Sequence, residues 1–214
     1  MPTKRVIFYI DGFNFYHGLK TKVRKDSDWR KFYWIDLVKF CQQFVEGDFE
    51  LVKVKYFTAS PLSIEKERRQ SSLFRVNKLI NGDRLDIIKG KYQKKPIRCD
   101  HCSEIFERPE EKRTDVNISV QMVGDCALQL VDKIVLISAD SDLVPPIKFI
   151  LDNYTDKKVS VYFPPERFSK DIFDVMNRKV VKLDQNKGKF VKSILPEVVK
   201  IEGRDYLIPD KWKC

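Results

Sequence analysis

The sequence predicts an α/β protein in which a parallel sheet is joined by helical crossovers. Three observations predict it. Strand-like and helix-like segments alternate from Val6 to Leu183, an order that lays successive strands side by side with helices between them. Lys133 to Ser138 is a β-branched and aliphatic run, which suits a strand covered on both faces. Just before it, Val116, Val120, Val123, Ala127 and Leu130 recur at spacings of three and four, the period of a helix that buries one stripe.

The elements follow in chain order. Val6 to Ile10 is a short strand ending at an acidic turn. Phe13 to Leu19 and Trp34 to Phe44 read as helices, and Leu51 to Ala59 as a strand. Ser63 to Ile80 is a long charged helix with Leu73, Val76 and Ile80 on one stripe. Leu85 to Tyr92 alternates like a strand. The polar stretch Lys94 to Glu111, with Cys99 and Cys102, is an inserted loop or small ribbon. The helix Val116 to Leu130 leads into the apolar strand. Helix 142–152, strand 159–163, helix 168–177 and strand 179–183 complete the set. Residues 1–184 are therefore read as one domain, with an insertion at about 94–111. Leu195-Pro196 and Ile208-Pro209 mark residues 185–214 as an extended tail docked on it.

The chain has 214 residues and is 43% hydrophobic, enough for a core; Lys and Arg total 41 against 31 Asp and Glu, a formal charge of +10. Such an excess favours a polyanionic partner, above all nucleic acid, although a lysine-rich surface has the same composition. No apolar run approaches the roughly 20 residues that cross a bilayer. The apolar N-terminal stretch ends at Asp11, too soon for a signal peptide. Five scattered cysteines (Cys41, Cys99, Cys102, Cys126, Cys214) do not form a disulfide framework, so a reducing cytoplasm is expected.

In open α/β sheets, ligands bind outside the carboxyl ends of the strands. Asp11 follows the first strand in Ile10-Asp11-Gly12-Phe13-Asn14. Asp140 and Asp142 follow the most apolar strand in Ser138-Ala139-Asp140-Ser141-Asp142. Asp115 opens the helix that runs back antiparallel to that strand, so its end lies at the same rim. Each acid alone is equally well explained as a turn residue or N-cap. Together they repel, and a cluster of hard oxygens calls for a divalent cation, Mg²⁺ or Mn²⁺ rather than zinc. Asp125 lies ten positions further along the same helix, roughly 15 Å away at about 1.5 Å per residue, and is read as structural. Neither a dinucleotide-binding glycine fingerprint nor a P-loop is present, and neither His17 nor His101 completes a nucleophilic triad. Acids without an essential histidine fit metal-assisted phosphodiester hydrolysis.

Three segments, YIDGFNFYHGL (9–19), EEKRTDVNISVQMVGDCAL (110–128) and IVLISADSDLVPPI (134–147), resemble the NYN-domain, LabA-like group of PIN-like nucleases. The resemblance covers most of the chain from Val6 to about Phe163. It implies a three-layer α/β/α PIN-like fold and a Mg²⁺- or Mn²⁺-dependent ribonuclease site. The acids carried over are Asp11, Asp115, Asp140 and Asp142, with Asn14 and Ser138 as auxiliary residues. Many members of the group carry a further acid six positions after the helix-opening Asp, where this chain has Gln121. The number of metals is therefore open. So is a second reading, a catalytically weak or inactive nucleic-acid-binding module.

Cys99-Asp100-His101-Cys102 resembles a Cys-pair insertion of some relatives but is half a zinc site. Its completions are His101, a partner chain in a homodimer, or no zinc. Lys91, Lys94, Lys95 and Arg98, in the stretch joining the sheet rim to the Asp115 helix, are expected to contact phosphate. Trp29 and Tyr92 are the aromatics expected to stack on single-stranded RNA bases. Phe13, Phe15 and Trp34 are assigned to the core. A third class, an assembly protein using the Cys loop and tail, predicts an oligomer without RNA affinity.

Overall fold

Six parallel strands form the centre of the computed structural model, which describes residues 3–98, 101–102 and 104–213, with backbone only for 92–95 and 106–111. They are β1 (Lys4–Asp11), β2 (Phe49–Thr58), β3 (Leu85–Lys89), β6 (Lys133–Ile137), β7 (Lys158–Phe163) and β8 (Val180–Lys182). Their order is β3-β2-β1-β6-β7-β8. The chain builds outward from β1 in one direction and from β6 in the other. The strand order therefore reverses between β1 and β6, where a crevice opens at the carboxyl ends.

Alternation along β1 divides the core in two. Val6, Phe8 and Ile10 join Phe15, Leu19, Phe40 and Val54 on one face. That face is covered by α1 (Gly12–Lys25), α2 (Leu37–Gln42) and α3 (Ile64–Asn81). Ile7, Tyr9 and Phe57 join Ile118, Met122, Ile147 and Ile150 on the other, under α4 (Thr114–Ala127), α5 (Val144–Asn153) and α6 (Lys170–Val175). Both faces are covered by helices, as the apolar strands required, and the three-layer α/β/α architecture follows.

Several elements differ in detail from the sequence expectation. The helix over 34–44 shrinks to α2, because Ile35 instead forms a bridge to Ile194 and the Asp36 carboxylate caps the backbone N–H groups of Val38 and Lys39. A 3-10 turn over Ser27–Tyr33 precedes it. Within α3, Val76 is buried as expected but Ile80 is exposed, and the inward positions are Phe74, Val76 and Asn77. The strand over 85–92 breaks at Gly90, where any Cβ would lie 2.7 Å from Thr114 Oγ1 and 2.8 Å from the Lys112 carbonyl. Beyond it, β4 (Lys91–Arg98) and β5 (Ile105–Lys112) pair only with each other as an antiparallel ribbon. The segment after Asp184 packs on the domain through α7 (Lys187–Val191) and a hairpin of β9 (Val198–Ile201) and β10 (Arg204–Leu207). Trp34 Nε1–H donates to the Pro196 carbonyl at 2.9 Å, and Trp34, Leu195, Val199 and Trp212 share a small third core. Among the described residues no helix is long and apolar enough to cross a membrane.

Candidate metal centre

The crevice between β1 and β6 fixes two of the acids. Ile10 and Ile137 are register partners, so Asp11 and Ser138 leave the sheet side by side. The Ser138 hydroxyl donates to Asp11 Oδ2 at 2.8 Å and accepts the Asp140 N–H at 3.0 Å. One buried serine thus ties the two strand ends together. Asp11 also caps α1, accepting the Asn14 N–H on Oδ1 at 3.0 Å. The chain can turn into α1 at once because Gly12 has no side chain: a Cβ there would lie 2.3 Å from the Tyr56 ring and 2.5 Å from the Phe57 carbonyl.

The third acid comes from the ribbon side. Arg113 takes a left-handed conformation (φ 77°) before α4 begins, and the tight Gly90–Thr114 approach pins that turn against the end of β3. Asp115 is in the first turn of α4. The result is a group of carboxylate oxygens from Asp11, Asp115 and Asp140 that all lie within 4.8 Å of one another. Asp11 is the most enclosed, at 3% exposure. Its carboxyl is pushed up to about 7, chiefly by burial and further by the charges of Asp115 and Asp140, against the pull of the Asn14 N–H and Ser138 hydroxyl.

The donor set fits a hard divalent cation. All three ligands are oxygens, which suits Mg²⁺ or Mn²⁺. In addition, Asn14 Oδ1 is buried and has no hydrogen-bond partner among the described residues, an uncommon state for a polar atom that is not facing a ligand.

Asp142 is not drawn into this group. It is exposed on the 3-10 turn Ser141–Leu143, and its part in the site is made by its backbone N–H, which donates to Asp140 Oδ1 at 3.1 Å. Lys91 and Arg98 are exposed on the ribbon, whereas the side chains of Lys94, Lys95 and Tyr92 lie outside the described residues. Cys102 is exposed and unbridged, and Cys99 lies outside the described residues. Among the described residues the three-acid group is the one candidate metal cluster. Trp29, expected to stack on bases, is instead 2% exposed and packs on Phe32 and Phe190, while Phe13, expected in the core, is 46% exposed.

Sequence reasoning missed a network beneath the acids. Lys55 is the register partner of Tyr9 on the neighbouring strand. Its ammonium donates to Asp125 Oδ2 at 2.6 Å and to Gln121 Oε1 at 2.5 Å, and the Tyr9 hydroxyl donates to Asp125 Oδ2 at 2.5 Å. Lys55 and Asp125 are both buried. Tyr9 sits two residues below Asp11, about 7 Å at the strand rise. The signal was present in α4: Ile118, Met122 and Asp125 lie on one helical stripe, and all three are buried.

Comparison with known proteins adds three findings. The family model for the NYN domain matches residues 5–184. A curated protein of Pseudomonas putida (strain DSM 28022 / S16), 6-hydroxy-3-succinoylpyridine 3-monooxygenase HspA, is 26% identical over 97% of this chain and 75% of its own length. A crystal structure of a Vibrio parahaemolyticus RIMD 2210633 protein of unknown function superposes with a TM-score of 0.55 at 17% identity, covering 91% of this chain and 98% of that one. At that identity the likeness concerns the fold.

Proposed function

The chain belongs to the NYN-domain family, a nuclease-type fold, and from that premise we propose that it is a Mg²⁺- or Mn²⁺-dependent endoribonuclease acting in the cytoplasm. The observation that carries the reading is the meeting of Asp11, Asp115 and Asp140 oxygens within 4.8 Å at the sheet's switch point.

A divalent ion at such a site lowers the pKa of a bound water and offsets the charge that builds on a phosphodiester under attack. The protein's residues prepare that chemistry. Asp11, Asp115 and Asp140 supply the ligands. Ser138 orients Asp11 and, through the Asp140 N–H, sets the turn that carries Asp140. Asn14 offers a further oxygen, and Asp142 stands at the exposed edge. Lys91, Lys94, Lys95 and Arg98 lie on the ribbon leading to Asp115, where they would bind the phosphates flanking the cut bond. Residues 1–184 form the catalytic domain in this reading, with 185–214 as its docked tail. A homodimer, with or without zinc at Cys99 and Cys102, is a further part of the proposal.

The test is cleavage of a single-stranded RNA by wild type and by Asp140→Asn, together with Mn²⁺ titration calorimetry. The expected result is metal-dependent cleavage in wild type, and loss of both cleavage and Mn²⁺ heat in the variant. Undiminished cleavage by Asp140→Asn overturns the assignment.

One observation favours a second reading, an RNA-binding module of weak or no activity. Gln121 stands where many members of the group carry a further acid, and its amide oxygen is held by the buried Lys55 ammonium. That reading predicts salt-sensitive RNA binding without cleavage under Mg²⁺ or Mn²⁺.

A further inference from the structure

A second concavity lies on the opposite face of the sheet from the acids but shares their rim. It encloses about 380 Å³ between α1, α3 and the loop after β2, with Trp212 of the C-terminal segment in its lining. That is within the roughly 300–1,000 Å³ of small-molecule pockets. Gly12, the residue after Asp11, and Thr58, at the end of β2, belong to its wall. Several aromatic rings stand in its walls: Phe13, Tyr16, Tyr33, Tyr56 and Phe74 all line it.

The charged groups of the lining are of one sign. Lys20, Lys66 and Arg69 line the same cleft. Among the described residues neither Lys20 nor Lys66 has an ion-pair partner, and Arg69 reaches only Glu65, at 3.8 Å. His17, also in the wall, packs against Phe13 in a tilted arrangement with ring centroids 4.2 Å apart. Its protonation is disfavoured first by burial and then by the nearby charges of Lys20, Arg167 and Lys66. Gln70 adds an amide whose Nε2 donates to Thr58 Oγ1 at 2.9 Å.

Aromatic faces take a flat ring by stacking, and uncompensated cations at the mouth take an anionic group attached to it. We propose that this cleft binds one unstacked nucleotide of the RNA strand, its base among the aromatic residues and its phosphate on Lys20, Lys66 and Arg69, immediately beside the phosphodiester presented to Asp11. This deepens, and in that last step rests on, the nuclease reading. The cleft is the specificity-determining subsite, and the acids themselves are indifferent to the base.

The test separates the subsite from catalysis. Adenosine and uridine monophosphates are titrated into full-length Asp140→Asn protein by calorimetry, and into the same protein carrying Lys20→Ala and Lys66→Ala. The expected result is binding of at least one monophosphate, weakened about tenfold or more by removal of the two charge-assisted contacts. The unphosphorylated nucleoside should bind less well than its monophosphate. In the otherwise wild-type enzyme, the same lysine pair should raise KM for RNA and leave Mn²⁺ affinity unchanged. Monophosphate affinity that ignores the lysines overturns the proposal. So does an absence of monophosphate binding, and so does selective binding of a pyridine carboxylate, which would make the cleft a site for free heteroaromatic acids. Because the binding arm needs no cleavage, failure of the nuclease reading leaves it intact as a measurement.

Discussion

A cluster of three acids and a polar cluster around one buried acid both draw on α4, and they are built in opposite ways. Beneath, Asp125 is closed off with Lys55 at 2.6 Å, and the Tyr9 hydroxyl and Gln121 complete the network. Above, Asp11 and Asp140 have no lysine or arginine within ion-pair distance among the described residues, yet their oxygens are gathered with those of Asp115. Burying a carboxylate is tolerable when a cation comes with it and costly when one does not. The lower cluster carries its cation in the sequence. The upper one gathers three carboxylate oxygens of the kind that hold a divalent cation, so the lower cluster is read as serving the fold and, in the nuclease reading, the upper one as serving chemistry.

The largest expected contrast is in what the same kind of change does to each. Asp140→Asn should remove metal-dependent RNA cleavage by at least about a hundredfold, while leaving the melting temperature level or slightly higher, because a like charge beside Asp11 and Asp115 has been removed. Asp125→Ala should do the reverse. It strands the Lys55 ammonium in the core and should cost about 3–5 kcal/mol of stability, read in a denaturant melt, with residual activity following the folded fraction. If Asp140→Asn unfolds the protein, or Asp125→Ala melts like wild type, the division between the clusters is wrong.

Metal should act on one cluster only. Mn²⁺ at a hundred times its dissociation constant stabilises the native state by about 2.7 kcal/mol. Wild type and Asp125→Ala should both gain that increment in a thermal melt, and Asp140→Asn should lose it. An equal gain in all three proteins would place the ion elsewhere.

The upper cluster was legible in the sequence because strand ends and helix starts are local signals, and topology then brings them together. The sheet was legible for the same reason: Val6–Ile10 and Lys133–Ile137 have no polar alternative. Asp142 shows the limit. Spacing puts it next to Asp140, but the 3-10 turn points the pair to different uses. Lys55 was invisible because a lysine in a strand reads as solvent-facing until its register partner is known. The aromatic cleft was invisible for a related reason. Its walls come from α1, the 3-10 turn before α2, β2, α3 and the C-terminal segment, and no single window holds more than a fraction of them. Trp29 and Phe13 exchanged their expected places: Trp29 lies in the 3-10 turn that Asp26 caps and is buried there, while Phe13, in the first turn of α1 after its cap Asp11, is exposed.

Another paired carboxylate tests how far compensation alone explains stability. Asp132 precedes β6 at the opposite end of the sheet from the three gathered acids and is held mainly by hydrogen bonds from the Arg5 guanidinium and backbone, at 2.7–3.1 Å. These contacts pull its carboxyl down to about 2. An acid held below its unfolded value of about 3.9 stabilises the native state above that pH and loses the contribution as pH falls towards 2. The pair is partly solvated, so Arg5→Ala should cost no more than about 1 kcal/mol at pH 7. The difference from wild type should shrink steadily through the window from pH 4 to pH 2. High salt should reduce it too, since screening reaches a surface pair. The Lys55–Asp125 pair, sealed from solvent, should barely respond to salt. An Arg5→Ala deficit as large as that of Asp125→Ala, or one that persists at pH 2, would show that position at the sheet's end, rather than burial of the charge, sets what a paired carboxylate contributes.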